Sequence, residues 1–210
     1  MKRRFNITGS CIPERHYMVR LDDRMKQIQE DYIEYGSYFV INRGRQYGKT
    51  TTLRALEEYL KDEYLVLSLD FQEISSKKFS DETMFSKAFA DKFRHALQNT
   101  DKDYKDNLVK ILSDFRADTP DVGLDDLFEC LSDLCRQSLQ PVVLMIDEVD
   151  SASNNQVFID FLAQLRALYL KRDKVPTFHS VILAGVYHIK NLKLKKRKES
   201  EHQYNGPWNI

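Results

Sequence analysis

The feature that most restricts how this chain can fold is a glycine-bearing loop set between a short apolar run and an amphipathic stretch. Residues 37–42 (SYFVIN) read as a strand, and residues 49–62 as a helix with Leu53, Leu56 and Leu60 inward. Between them lies RGRQYGKTTT, residues 43–52. A strand that ends in a tight loop and restarts as a helix is the context a phosphate-binding loop requires. The helix amino terminus offers unpaired N–H groups and the positive end of a dipole. The loop wraps further amides around the anion. On this reading Gly44, Arg45, Gln46, Tyr47, Gly48, Lys49, Thr50 and Thr51 contact the nucleotide. Gly48 lets the backbone approach closely, Lys49 brings a mobile ammonium to the β- and γ-phosphates, and Thr50 presents its hydroxyl to Mg²⁺. Thr50, Thr51 and Thr52 are three β-branched residues opening a helix, which local propensity disfavours. Such local violations gather at functional sites; the competing reading is that the threonines only cap the helix. One position departs from the pattern G-x-x-x-x-G-K-[ST]: Arg43 stands where its first glycine belongs, and Gly44 follows one place later.

The rest of the chain alternates in the same way. Residues 22–34 read as a helix with Met25, Ile28 and Tyr32 on one face. Residues 64–71 (YLVLSLDF) form a second strand. Three amphipathic helices follow, carrying Phe85, Phe89 and Phe93, then Tyr104, Leu108, Ile111, Leu112 and Phe115, then Leu124, Leu127, Phe128, Leu131, Leu134 and Cys135. The uninterrupted apolar run 142–146 (VVLMI) suits a central parallel strand buried on both faces. Residues 155–171 are helical and 180–186 (SVILAGV) are a fourth strand, with loops at 73–80, 98–103, 116–123 and 171–177. The alternation implies an α/β fold with a parallel sheet between helical layers.

The strand at 142–146 runs into Asp147 and Glu148. In an open α/β sheet, ligands sit at the carboxyl ends of the strands. Asp147 can there face the metal held by Thr50, and Glu148 can polarise water toward a γ-phosphate. An apolar strand ending in Asp-Glu downstream of Gly-Lys-Thr is far more specific than either motif alone. An acid directly after the metal aspartate favours hydrolysis over transfer to a substrate hydroxyl. The catalytic set is therefore Glu148 and Lys49, and the metal set Thr50 and Asp147. Asp150 reads as a cap for the next helix, without chemistry.

Bulk composition narrows the alternatives. Lysine plus arginine equals aspartate plus glutamate at 32 each, so no global field draws the chain to nucleic acid or an anionic membrane. No stretch approaches the roughly 20 apolar residues needed to span a bilayer, and the basic amino terminus lacks the apolar core of a secretory signal. Cys11, Cys130 and Cys135 match no zinc or redox spacing and read as reduced thiols of a cytoplasmic protein. Six basic residues between Lys190 and Lys198 read as a solvated surface or as a nucleic-acid contact.

Residues 42–52, VVLMIDEVD at 142–150, SVILAGVYHIKNL at 180–192 and YNGPWNI at 204–210 resemble the AAA+/STAND group of P-loop ATPases. More narrowly, they are similar to bacterial AAA-like ATP-binding proteins whose loop reads NRxRQYGKTT. The resemblance implies a three-layer α/β/α sandwich with strand order 1-4-3-2, ATP and Mg²⁺ as cofactors, and a core over 37–190 between a lead-in segment (1–36) and a basic tail (191–210). It also implies a polar sensor at the end of the 180–186 strand, where Tyr187 and His188 are the candidates, and an adenine contact from the segment around Tyr17 and Val19. Trp208 and Ile210, apolar at a chain end, suggest a piece of a longer protein. Three functions stay open at this stage: an Mg²⁺-dependent ATPase, an ATP-binding switch with little hydrolysis of its own, and a nucleic-acid-associated ATPase. A protein partner or a second copy of the chain is left open in each; a membrane is not expected.

Overall fold

The structure, a computed structural model, describes residues 3–6, 9, 11–44, 46–118, 121–152 and 155–186. Four strands form one parallel sheet: β1 (Tyr38–Asn42), β2 (Leu65–Asp70), β3 (Val142–Asp147) and β4 (Ser180–Gly185). Their spatial order is β1-β4-β3-β2, as the resemblance implied. The chain leaves β1 at one edge, crosses by helix α2 (Lys49–Leu60) to β2 at the other, and fills the gap with β3 and β4. Registry pairs Asn42 with Gly185 and Asp70 with Asp147, so all four carboxyl ends share one rim.

Side-chain alternation along the strands divides the core into two layers. On one face, Val66, Val143, Met145, Ile182 and Ala184 pack against Leu53, Leu56 and Leu60 of α2, and against Met25 of α1 (Asp22–Ile28). A π-helical turn, Gln29–Ile33, continues α1 and adds Ile33 to this layer. On the other face, Leu65, Leu67, Leu69, Leu144, Ile146, Val181 and Leu183 meet the remaining helices. These are α3 (Glu82–Gln98), α4 (Lys105–Asp118), α5 (Leu124–Gln137) and α6 (Gln156–Leu170). The strands β3 and β4 are buried at every position, which is why they read as unbroken apolar runs.

Local chemistry sets the helix starts. Asp81 caps α3 by accepting from the Met84 N–H at 2.7 Å, and that bond holds its carboxyl below the usual carboxylate range. Before α5, the Asp126 carboxylate accepts from the Gly123 N–H at 2.8 Å, and Glu82 accepts from Leu124 N–H at 3.1 Å. Residues 73–80, expected to be a loop, contain a 3-10 turn over Ser76–Phe79. The turn exists because Phe79 is drawn under the α3 layer, with its ring 5.5 Å from that of Phe85. Burial pushes the Cys130 and Cys135 thiols up to about 12, which makes both poor nucleophiles at neutral pH.

Phe161 is the hub of the second layer. Its ring lies 4.9 Å from Phe89, 5.2 Å from Phe128 and 5.3 Å from Phe85, so it joins α6 to α3 and α5. Phe161→Ala is expected to lower the unfolding free energy by about 4 kcal/mol, read from the urea midpoint at unchanged slope.

Candidate active site

The loop after β1 is shaped by three residues with positive φ or close contact. Gly48 is the amino-terminal cap of α2, with φ 76° and ψ 23°. This left-handed conformation suits glycine, and the residue has no side chain with which to cap the helix, so the first amides of α2 face the rim uncapped by Gly48. Gln46 also has positive φ, 63°. Gly44 lies under the Tyr47 ring; a Cβ there would sit 3.2 Å from the ring. A side chain at 44 would press the Tyr47 ring aside by a few tenths of an ångström. Tyr47 is otherwise exposed. Arg45 lies outside the described residues.

Lys49 is buried, 6% exposed, and its Nζ donates to the carbonyl oxygens of Arg43 at 3.2 Å and Gly44 at 3.4 Å. The ammonium is therefore held over the hollow of the loop. Thr50 and Thr51 point differently. Thr50 Oγ1 donates to Asp147 Oδ2 at 2.6 Å, whereas Thr51 Oγ1 accepts from the Cys11 N–H at 3.2 Å and ties the lead-in segment to α2. The threonines do more than cap a helix.

Asp147 closes β3 and is 7% exposed. Its second oxygen, Oδ1, accepts from the Glu148 N–H at 2.9 Å. Both carboxylate oxygens are thus engaged, one by Thr50 of α2 and one by the residue that follows. Glu148 has φ 53°, a left-handed conformation rare for a residue with a long side chain. Ser151 fixes this turn, donating its N–H at 3.0 Å and its hydroxyl at 2.9 Å to the Glu148 carbonyl. Burial, reinforced by the Asp147 carboxylate and opposed by Lys49, pushes the Glu148 carboxyl above the usual range. Burial does the same to Asp70 at the end of β2, with Asp147 adding to it. The rim therefore carries an excess of negative potential close to one lysine, with hard oxygen donors from Thr50 and Asp147 side by side. Such donors suit Mg²⁺, which takes one or two protein oxygens and completes its shell with phosphate and water. Among the described residues, no group of three His, Cys, Asp or Glu could hold a metal ion.

Asp150 does not cap α6, whose cap is Asn155; it sits in a 3-10 turn, Val149–Ala152, and its Oδ2 accepts from the Val186 N–H. The α6 start lies too far along the chain for a side chain committed to β4 to reach it. Tyr17 and Val19 are exposed, and Tyr17 packs on Phe5 at 5.2 Å. Tyr187, His188, the basic residues from Lys190 to Lys198, Trp208 and Ile210 lie outside the described residues. Sequence reasoning missed Gly185 and the αL turn at Glu148; the run Gly185-Val186 after an apolar strand was a signal for the first, and nothing in the residue type signalled the second.

Backbone strain of this kind gathers at functional sites. Glu148→Gly is expected to raise the unfolding free energy by about 1 kcal/mol, by relieving the left-handed cost and the carboxylate repulsion. A urea titration of the purified variant checks this.

A sequence profile described as the AAA-like domain matches residues 12–196, most of the chain. A search of curated proteins gives no match. Among solved structures, the Orc1 protein of Aeropyrum pernix in complex with DNA aligns over 88% of this chain and 42% of its own, at 12% identity and TM-score 0.50. Cdc6p from Pyrobaculum aerophilum aligns over 86% and 41%, at 16% identity and TM-score 0.50. The Walker-type ATPase paby2304 of Pyrococcus abyssi aligns over 80% and 45%, at 17% identity and TM-score 0.49. The chain spans less than half the length of these structures, and at such identities the Orc1 and Cdc6p likenesses speak to the fold alone. With a match that takes in both the loop at 43–52 and the acids at 147–148, the chain belongs to the AAA-like domain family of P-loop ATPases.

Proposed function

We propose that this chain binds ATP with Mg²⁺ and hydrolyses the terminal phosphate. The observation that carries the reading is the 2.6 Å hydrogen bond from Thr50 to Asp147, which joins the phosphate-loop helix to the acidic strand end. In this reading the amides at the start of α2 and the loop amides bind the β- and γ-phosphates. Lys49 swings from the carbonyls of Arg43 and Gly44 to the γ-phosphate, exchanging neutral acceptors for an anionic one. Thr50 and Asp147 would hold Mg²⁺, which would supply charge neutralisation for the phosphates. Glu148 accepts a proton from the attacking water as the new P–O bond forms and the bond to the β-phosphate oxygen breaks, leaving ADP and inorganic phosphate. Its raised carboxyl makes it a stronger base than an exposed glutamate.

The base has a candidate pocket. A cavity of about 510 Å³ between the lead-in segment and α2 is lined by Cys11, Ile12, Pro13, Met18, Thr51 and Tyr59, among others. Its volume is in the range of small-molecule sites, and Thr51 adjoins the loop. Of the stretch around Tyr17 and Val19, Met18 lines it.

Lys49→Ala is expected to weaken Mg-ATP binding by at least about tenfold, while Glu148→Gln keeps binding and loses turnover by on the order of a hundredfold. Calorimetry and single-turnover phosphate release measure the two. Equal turnover by wild type and Glu148→Gln would remove Glu148 from its role.

A second reading adds duplex DNA as a partner, supported by the six basic residues between Lys190 and Lys198. If these residues make phosphate contacts, affinity for a DNA duplex falls about a thousandfold between roughly 50 and 200 mM salt. Neutralising Lys193, Lys195, Lys196 and Lys198 removes most of that dependence. Fluorescence anisotropy with a labelled duplex reads both; salt-insensitive or absent binding eliminates the reading.

A further inference from the structure

One peptide unit lies between the acidic turn and the phosphate loop. The Val186 N–H donates to Asp150 Oδ2. The Gly185 carbonyl, the other half of the same planar unit, accepts from the Arg43 N–H at 3.3 Å. Arg43 opens the phosphate loop, and its own carbonyl receives Lys49 Nζ at 3.2 Å. The unit is crowded from the Asp150 side as well. A Cβ on Gly185 would fall 2.9 Å from Asp150 Oδ2 and 2.9 Å from Val149 Cγ2, so only glycine allows the turn after Glu148 to close on β4. That turn is itself held by the two Ser151 bonds to the Glu148 carbonyl.

We propose that Asp150 is a positioning residue which, through the Gly185–Val186 peptide, sets the reach between the Glu148 turn and the start of the phosphate loop. The proposal deepens, and its kinetic part rests on, the hydrolytic reading of Glu148 and Lys49. The physics is that of a short strut. A peptide is planar and stiff, so a carboxylate fixed at its N–H end fixes the carbonyl at its other end. A carboxylate on the N–H also polarises the unit and strengthens the carbonyl as an acceptor. Arg43 N–H is thereby held, and with it the loop carbonyls that dock Lys49. Catalytic geometry is sensitive to displacements of about 1 Å, and β4 lies between the two halves of the site, so something must transmit position across it. Thr50 to Asp147 ties the halves on the side of α2; Asp150 ties them through β4.

The test combines amide exchange with kinetics on the full chain. Asp150→Ala is expected to speed exchange of the Arg43 amide, which lies far from it in sequence, by about tenfold. It should lower kcat by ten- to a hundredfold, in the order of a misplaced catalytic group, with the Mg-ATP Kd changed by no more than about threefold. Asp150→Asn, which keeps a carbonyl acceptor, should recover most of both effects. Equal losses in Asp150→Asn and Asp150→Ala, or an Arg43 amide that exchanges at the wild-type rate in folded Asp150→Ala, would overturn the proposal. If Asp150→Ala does not fold, a through-hydrogen-bond coupling between the Val186 nitrogen and the Asp150 carboxylate carbon decides the point in the unmodified protein, its absence being fatal. A wild-type chain without turnover would defeat the hydrolytic reading and leave the strut to stand or fall on the exchange and coupling results.

Discussion

A carboxylate at the end of a fully buried strand must find partners, and Asp147 finds them in Thr50 and in the amide of Glu148. Leaving such a group buried and unpaired would cost several kcal/mol. That requirement links the two halves of the candidate site. It draws the first turn of α2 over the intervening strand β4, across two strand spacings of about 4.8 Å each. The direction of β1 and β3, both ending on one rim, makes the approach geometrically available.

Around this contact the backbone departs from ordinary conformations. Gln46, Gly48 and Glu148 all have positive φ, and each flanks Lys49 or Asp147 closely in sequence or space. Among the described residues the only non-glycine residues with positive φ are Gln46 and Glu148. Strain of this kind persists only where surrounding contacts over-determine it. Ser151 and Asp150 supply those contacts after β3; the bond from Lys49 to Arg43 and the ring of Tyr47 over Gly44 supply them before α2. The thick aromatic layer around Phe161, on the far face of the sheet, gives the rim a rigid base from which to hold such geometry.

Elements were legible wherever one physical cause dominated. The strands β3 and β4 are buried on both sides, so their apolar runs could mean little else. The stripe of α5 and the four-residue phenylalanine steps of α3 translate directly into buried faces. The 3-10 turn at Ser76–Phe79 was not legible, because a polar stretch with a single phenylalanine looks like a loop until the α3 layer offers that ring a place. The π-helical widening at Gln29–Ile33 also escaped, since it leaves the hydrophobic period almost unchanged.

By itself the order of residues determined the chemistry on offer: an ammonium and a hydroxyl following a glycine, two carboxylates following an apolar strand, and a backbone that alternates strand with helix. These follow from local rules of period, propensity and side-chain type. Only the tertiary structure decided which groups meet. Thr50 reaches Asp147 while Thr51 turns to the lead-in segment, and Asp150 bonds to β4 instead of capping α6. Such choices depend on which strand lies beside which and on how closely Gly185 lets two turns approach, and those are properties of packing among residues far apart in the chain.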